Sequence, residues 1–82
     1  MSKSVKLLSR LRQIPADFTW DELVTALTSI GFKDISDKPG SYRTFIFVAS
    51  GIKIFLHKPH PAKIMKRYAL REIVAKLDEL GL

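Results

Sequence analysis

The 82-residue chain contains no cysteine, so neither a disulfide nor a thiolate zinc site can supplement its core. No apolar run approaches the ~20 residues that a membrane span needs. The opening segment, "MSKSVKLLSRLRQ", also lacks the apolar stretch of a signal peptide. There is no repeat, no low-complexity tract, no Gly-rich phosphate loop and no Ser/His/Asp set that spacing singles out. The most pointed absence is one of charge: "GSYRTFIFVASGIKIFLHKPHPAKIMKRYALR", Gly40 to Arg71, holds seven Lys and Arg residues and not one Asp or Glu. These gaps leave one small domain in a soluble, cytoplasmic, reducing setting as the expectation, with no membrane contact and no cofactor.

What is present suits a modest globular core, with 46% apolar and 27% charged residues. The net charge of +6 is segregated: residues 1–14 carry +4, 15–40 carry −3, 41–71 carry +7 and 72–82 carry −2. A polarised molecule of this kind draws a polyanion to one face, and nucleic acid is the partner it favours over mere solubility.

Leu7, Leu8, Leu11 and Ile14 share a face at helical spacing, with Lys6 and Arg10 on the other side. Pro15 is expected to end this helix, because proline disfavours helical geometry at the residue before it. "FTWDEL" reads as a Thr19 N-cap with Glu22 three positions on, a capping box, flanked by Phe18 and Leu23 as a hydrophobic staple. Leu23, Val24, Leu27 and Ile30 form the next buried stripe, and Gly31 stops it. The period then changes to alternation. "FKDISD" is a short strand ending at the turn "DKPG", and "YRTFIFVA" and "IKIFLHK" are strands joined around Ser50-Gly51. Arg43, Phe45 and Phe47 face one way and Tyr42, Thr44, Ile46 and Val48 the other; Ile52, Ile54 and Leu56 oppose Lys53, Phe55 and His57. Both faces have apolar members, so periodicity does not say which the helices cover. A last helix carries Leu70, Ile73, Val74, Leu77 and Leu80 inward, starting anywhere from Pro61 to Tyr68. The order α-α-β-β-β-α predicts an α+β domain, a three-stranded antiparallel sheet with helices on one face.

His57 and His60 are the first candidates for chemistry. As "HxxH" they could be a metal pair, but no carboxylate accompanies them between Gly40 and Arg71, and the metal reading is rejected. Cleaving RNA without a metal needs a base for the 2′-hydroxyl, an acid for the leaving oxygen and cations for the phosphate charge. Imidazoles suit the first two tasks; Arg43, Lys53 and Lys58 could serve the third. The bland alternative has His57 packing at a strand end and His60 capping a turn. Lys63, Lys66 and Arg67 gather where the last helix begins, which is unfavourable for the helix itself and fits phosphate contact. Trp20, Phe45, Phe47 and Phe55 are expected in the core.

From Trp20 to Leu82 the chain resembles HicA-type toxins of bacterial and archaeal toxin–antitoxin pairs. The landmarks are "ELVTALTSIGF", "GSYRTF" opening the second strand, "LHKPHP" closing the third, and "YALREIVAKLDELGL" at the end. Residues 1–14 form an additional helix outside the 20–82 core. The resemblance implies a double-stranded-RNA-binding-domain-like fold, an endoribonuclease that cleaves mRNA, and a HicB-type antitoxin covering the active surface. RNA helices are read through shape, phosphates and 2′-hydroxyls, which reward Lys and Arg. The family's catalytic histidine follows "Gly-Ser", where this chain has Tyr42. Three readings follow in order: His57 or His60 carries the chemistry with Arg43 in support; the protein binds RNA without cleaving it; or Tyr42 is the proton carrier, although phenols, with reference pKa values of about 10, are poor bases at neutral pH. A protein-interaction domain for an acidic partner is the alternative from another class.

Overall fold

The capping box at "FTWDEL" sets the first well-defined corner. In the computed structural model, which describes residues 3–38 and 40–82 and side chains from residue 5 onward, Thr19 is extended and its hydroxyl accepts the Glu22 N–H at 3.2 Å. The Glu22 carboxylate accepts the Thr19 N–H at 3.0 Å in return. Two orphan donors of helix α2 (Trp20–Ser29) are thereby satisfied, and the helix buries Trp20, Leu23, Ala26 and Leu27. Gly31 follows at φ +106°, and a Cβ there would lie 3.2 Å from the Phe47 ring. It therefore combines a left-handed stop with a close approach.

Strands β1 (Phe32–Asp34), β2 (Tyr42–Phe47) and β3 (Ile52–His57) form an antiparallel meander in the order β1-β2-β3. Pro39, in the turn expected between the first two, lies outside the described residues, as do Met1 and Ser2 of the N-terminal segment. The register pairs Phe45 with Ile54, Arg43 with Leu56, and Phe32 with Phe47. Phe32, Phe45, Ile54 and Leu56 are buried, so this is the face the helices cover. The question that periodicity left open is settled by volume: two aromatic rings and two branched aliphatics fill the covered side. Phe45 meets Trp20 edge-on at 6.1 Å between ring centroids. One expectation is corrected. Phe55 is not core but 62% exposed, because Ile54 and Leu56 point inward and alternation sends the residue between them outward.

Helix α1 (Lys3–Arg12) packs against α2 and helix α3 (Arg67–Glu79), with Leu7 and Leu11 buried. It ends two residues before Ile14, which takes a left-handed φ of 52° ahead of Pro15, a conformation a β-branched residue rarely adopts. Arg10, expected on the solvated side, instead lies over the Phe18 ring at 5.3 Å and pairs with Asp17 and Glu22. Arg12 pairs with Asp78 of α3 at 2.6 Å and with the Leu82 main-chain oxygen. The +4 of residues 1–14 is thus partly spent inside the molecule.

Helix α3 begins at Arg67, at the late end of the range the sequence allowed. The preceding chain is extended and paired with the entry to α2: the Trp20 N–H donates to Lys63 at 2.9 Å and the Met65 N–H to Phe18 at 2.7 Å. Met65 is buried, and Leu70, Ile73 and Leu77 close the core from above.

If α1 is part of the core, Leu11→Ala costs about 2–5 kcal/mol in urea unfolding, whereas Thr19→Ala costs about 1 kcal/mol. A Leu11→Ala effect within ~0.5 kcal/mol, the size of a surface change, would show that α1 only rests on the surface.

Candidate functional site

The register that buries Phe45 and Ile54 fixes what the uncovered face displays. Lys33, Ile46 and Lys53 form one row across the three strands, Thr44 and Phe55 the next, and Tyr42 and His57 the last. No carboxylate stands in those rows. Tyr42 and His57 are cross-strand partners, both exposed, with their rings 6.1 Å apart and nearly perpendicular at 86°. Directly opposed side chains have Cβ atoms about 4.5–5.5 Å apart, so a single ligand atom can meet both.

A groove of about 880 Å³ runs along the free edge of β3. All five residues Lys53–His57 line it, as a strand seen from its edge must present them, and the far wall comes from residues 59–62 and 64–66 and from α3. His57, His60, Lys53 and Lys66 share this groove. His60 precedes Pro61 through a cis peptide bond. The neighbouring residues Tyr68 and Lys76 were not singled out by the sequence reading. Tyr68 lies off the Leu70/Ile73/Leu77 stripe, and that spacing was the available signal.

Arg43 and Lys58 lie elsewhere. Both line a separate hollow of about 580 Å³ with Asp21 and Asp34, and Arg43 pairs with Asp34 at 2.9 Å. The Arg43 charge is therefore met by a carboxylate on the helix-covered side, away from Tyr42 and His57. Lys58 ties its own N–H to the Ser41 carbonyl at 2.7 Å. Lys63 is exposed and its carbonyl holds Trp20, while Arg67 Nε donates to the Ile14 carbonyl at 3.1 Å. Lys66 is the N-cap of α3 and makes no side-chain capping bond. Among the described residues, no three His, Cys, Asp or Glu side chains come together in a way that could hold a metal ion.

A two-layer α+β domain whose fold is like that of double-stranded-RNA-binding domains, with a further N-terminal helix and an uncovered sheet face that carries Lys33 and Lys53, is the class that this architecture defines. A family model described as the HicA toxin of bacterial toxin-antitoxin matches residues 20–82, and the chain belongs to that family. Its role is accordingly that of a toxin, the counterpart of an antitoxin. No curated protein and no solved structure matches the chain. No described helix is long and apolar enough to cross a membrane.

Ser36, hydroxyl first and then main-chain N–H, holds the Asp34 carboxyl down at about 2 against desolvation, with Arg43 adding to the effect. A depressed carboxylate contributes stability that is present above its unfolded value of 3.8 and lost as the pH falls towards about 2. Wild-type protein is therefore expected to lose more of its urea midpoint between about pH 5 and pH 2 than Asp34→Asn does. The gap between the two should be widest at the higher pH. Equal losses would show that the Asp34–Ser36–Arg43 cluster contributes nothing to acid sensitivity.

Proposed function

We propose that this toxin is an endoribonuclease that cleaves mRNA without a metal, with His57 carrying a proton at the scissile phosphate and Tyr42 beside it. The observation that carries the reading is the register pair itself. Where the family's imidazole is replaced by Tyr42, another imidazole, His57, stands directly across the strand pair.

The chemistry requires the 2′-hydroxyl to attack phosphorus, forming a 2′,3′-cyclic phosphate and breaking the bond to the 5′-oxygen. One proton leaves the 2′-oxygen and one is delivered to the 5′-oxygen. An imidazole changes charge near neutral pH and can do either task. The phenol is a donor for a phosphate oxygen, and Lys53 and Lys66 are cations within the same groove. Lys63 and Arg67 extend the phosphate-binding track past the start of α3, while Arg43 and Lys58 act from the hollow on the other side as indirect support. His60, in the loop after β3, is the second imidazole available to the leaving group. A HicB-type antitoxin, on this reading, inhibits by covering the uncovered sheet face, and the reaction takes place in the cytoplasm.

The test is cleavage of a labelled, mostly single-stranded RNA with EDTA present. The wild type should cut, His57→Ala should lose about 100-fold or more, and Tyr42→Phe should lose less. His60→Ala separates one imidazole from two: near wild-type activity leaves His57 alone, and a loss equal to His57→Ala makes them a pair. Intact RNA with every variant, alongside binding that weakens steeply with salt, would make the protein a non-catalytic RNA-binding module instead.

A further inference from the structure

The groove along β3 has a composition that phosphate contact does not explain. Phe55 is 62% and Tyr68 60% exposed, and Ile64, at 41%, stands with them. Large rings left in water gain nothing from folding, and the core is otherwise complete without them: Phe18 and Phe45 are fully buried. Around these rings stand Lys53 and Lys66, with Lys76 already paired to Glu79 at 3.1 Å, against the lining carboxylate of Glu72. His57 belongs both to the groove and to the pair with Tyr42, so the apolar trough opens directly onto the candidate reaction centre.

We infer that this groove is a seat for an unpaired nucleobase of the RNA, held against Phe55 and Tyr68, with the adjoining phosphates met by Lys53 and Lys66. Aromatic faces with interleaved cations are the usual means of holding single strands, since every base offers a π-face and every nucleotide a charge. A paired base is already stacked on its neighbours and cannot enter. The groove therefore selects unpaired RNA and sets which nucleotide lies beside His57. The inference rests on the proposed RNA substrate and adds to it a requirement for single-stranded character at a defined place. The free backbone edge of β3 makes a partner's β-strand the competing occupant. The cationic rim and the continuity with the Tyr42–His57 pair favour the nucleotide.

Two labelled probes decide it: a short oligoadenylate and a blunt RNA duplex of equal length, each titrated at fixed salt. Phe55→Leu and Tyr68→Leu should each weaken oligoadenylate binding about five-fold or more, with duplex binding unchanged. Val48→Ala, exposed but outside the groove, should change neither. Phe55→Trp should keep the affinity and show quenching of the new indole by bound oligoadenylate. Because both rings are exposed, the folds should survive, and thermal melts of each variant verify this. Equal losses on both probes, or no loss on either, overturn the base seat while leaving RNA binding intact, and a strand of a protein partner then becomes the groove's occupant. A wild type that binds neither probe overturns the RNA reading itself, and the base seat falls with it.

Discussion

The pairing of Phe45 with Ile54 across β2 and β3 is the constraint on which the rest of the molecule depends. A three-stranded sheet in so short a chain can have only one face covered, because 82 residues supply helices for a single layer. Once Phe45 and Ile54 lie against Trp20 and the α3 stripe, period-two alternation assigns every other strand residue a side. Phe32 and Leu56 go in with them; Lys33, Tyr42, Lys53, Phe55 and His57 go out. A slip of β3 by one residue would bury Lys53 and His57 and expose Ile54 and Leu56. The same interaction that makes the core thus exposes the cationic, aromatic face.

The N-terminal helix changes how the charge must be counted. It lies outside the residues that the family model matches, yet Leu7 and Leu11 join the core. Arg10 and Arg12 are drawn into contacts with Asp17, Glu22 and Asp78. Exposed pairs of this kind add little stability, but they orient α1 across α2 and α3 and remove two cations from any binding surface. Arg43 is similarly engaged with Asp34. The block-by-block charge of the chain therefore overstates the cations open to RNA; Lys33 and Lys53 on the open sheet face and Lys66 in the groove are among those that remain.

Local signals were legible in the sequence and long-range ones were not. The capping box at Thr19, the stop at Gly31 and the three alternating strands depend on residues within a few positions of one another, and each stands where the residue pattern put it, except that the first strand ends at Asp34 and not at Asp37. The start of α3 was undecidable because residues 63–65 are extended by hydrogen bonds to Phe18 and Trp20, more than forty positions earlier. Phe55 was misplaced for a related reason: a small core with few aromatics invites every ring inward, and only the choice between Ile54/Leu56 and Phe55 excludes it. Arg43 shows the same limit, since alternation grouped it with Phe45 without revealing that Phe45's side is the covered one. The adjacency of Tyr42 and His57 was within reach, because a four-residue loop between Phe47 and Ile52 fixes the register that opposes them.

On the proposed reading, that adjacency bears on the tyrosine at position 42, where the resemblance to the family implies a histidine. Adjacent strands lie about 4.8 Å apart, so exchanging the imidazole at position 42 for the one at position 57 moves it one strand spacing towards the sheet's edge. A displacement of that size is far larger than catalysis tolerates if the substrate stays in place, since misplacement by about 1 Å can cost a hundred-fold in rate. On the proposed reading the RNA must therefore sit one strand further out, over β3 rather than β2. That is the position at which its neighbouring nucleotide meets the groove lined by Phe55 and Tyr68. The shifted imidazole and the aromatic groove are then two consequences of one change in where the substrate lies.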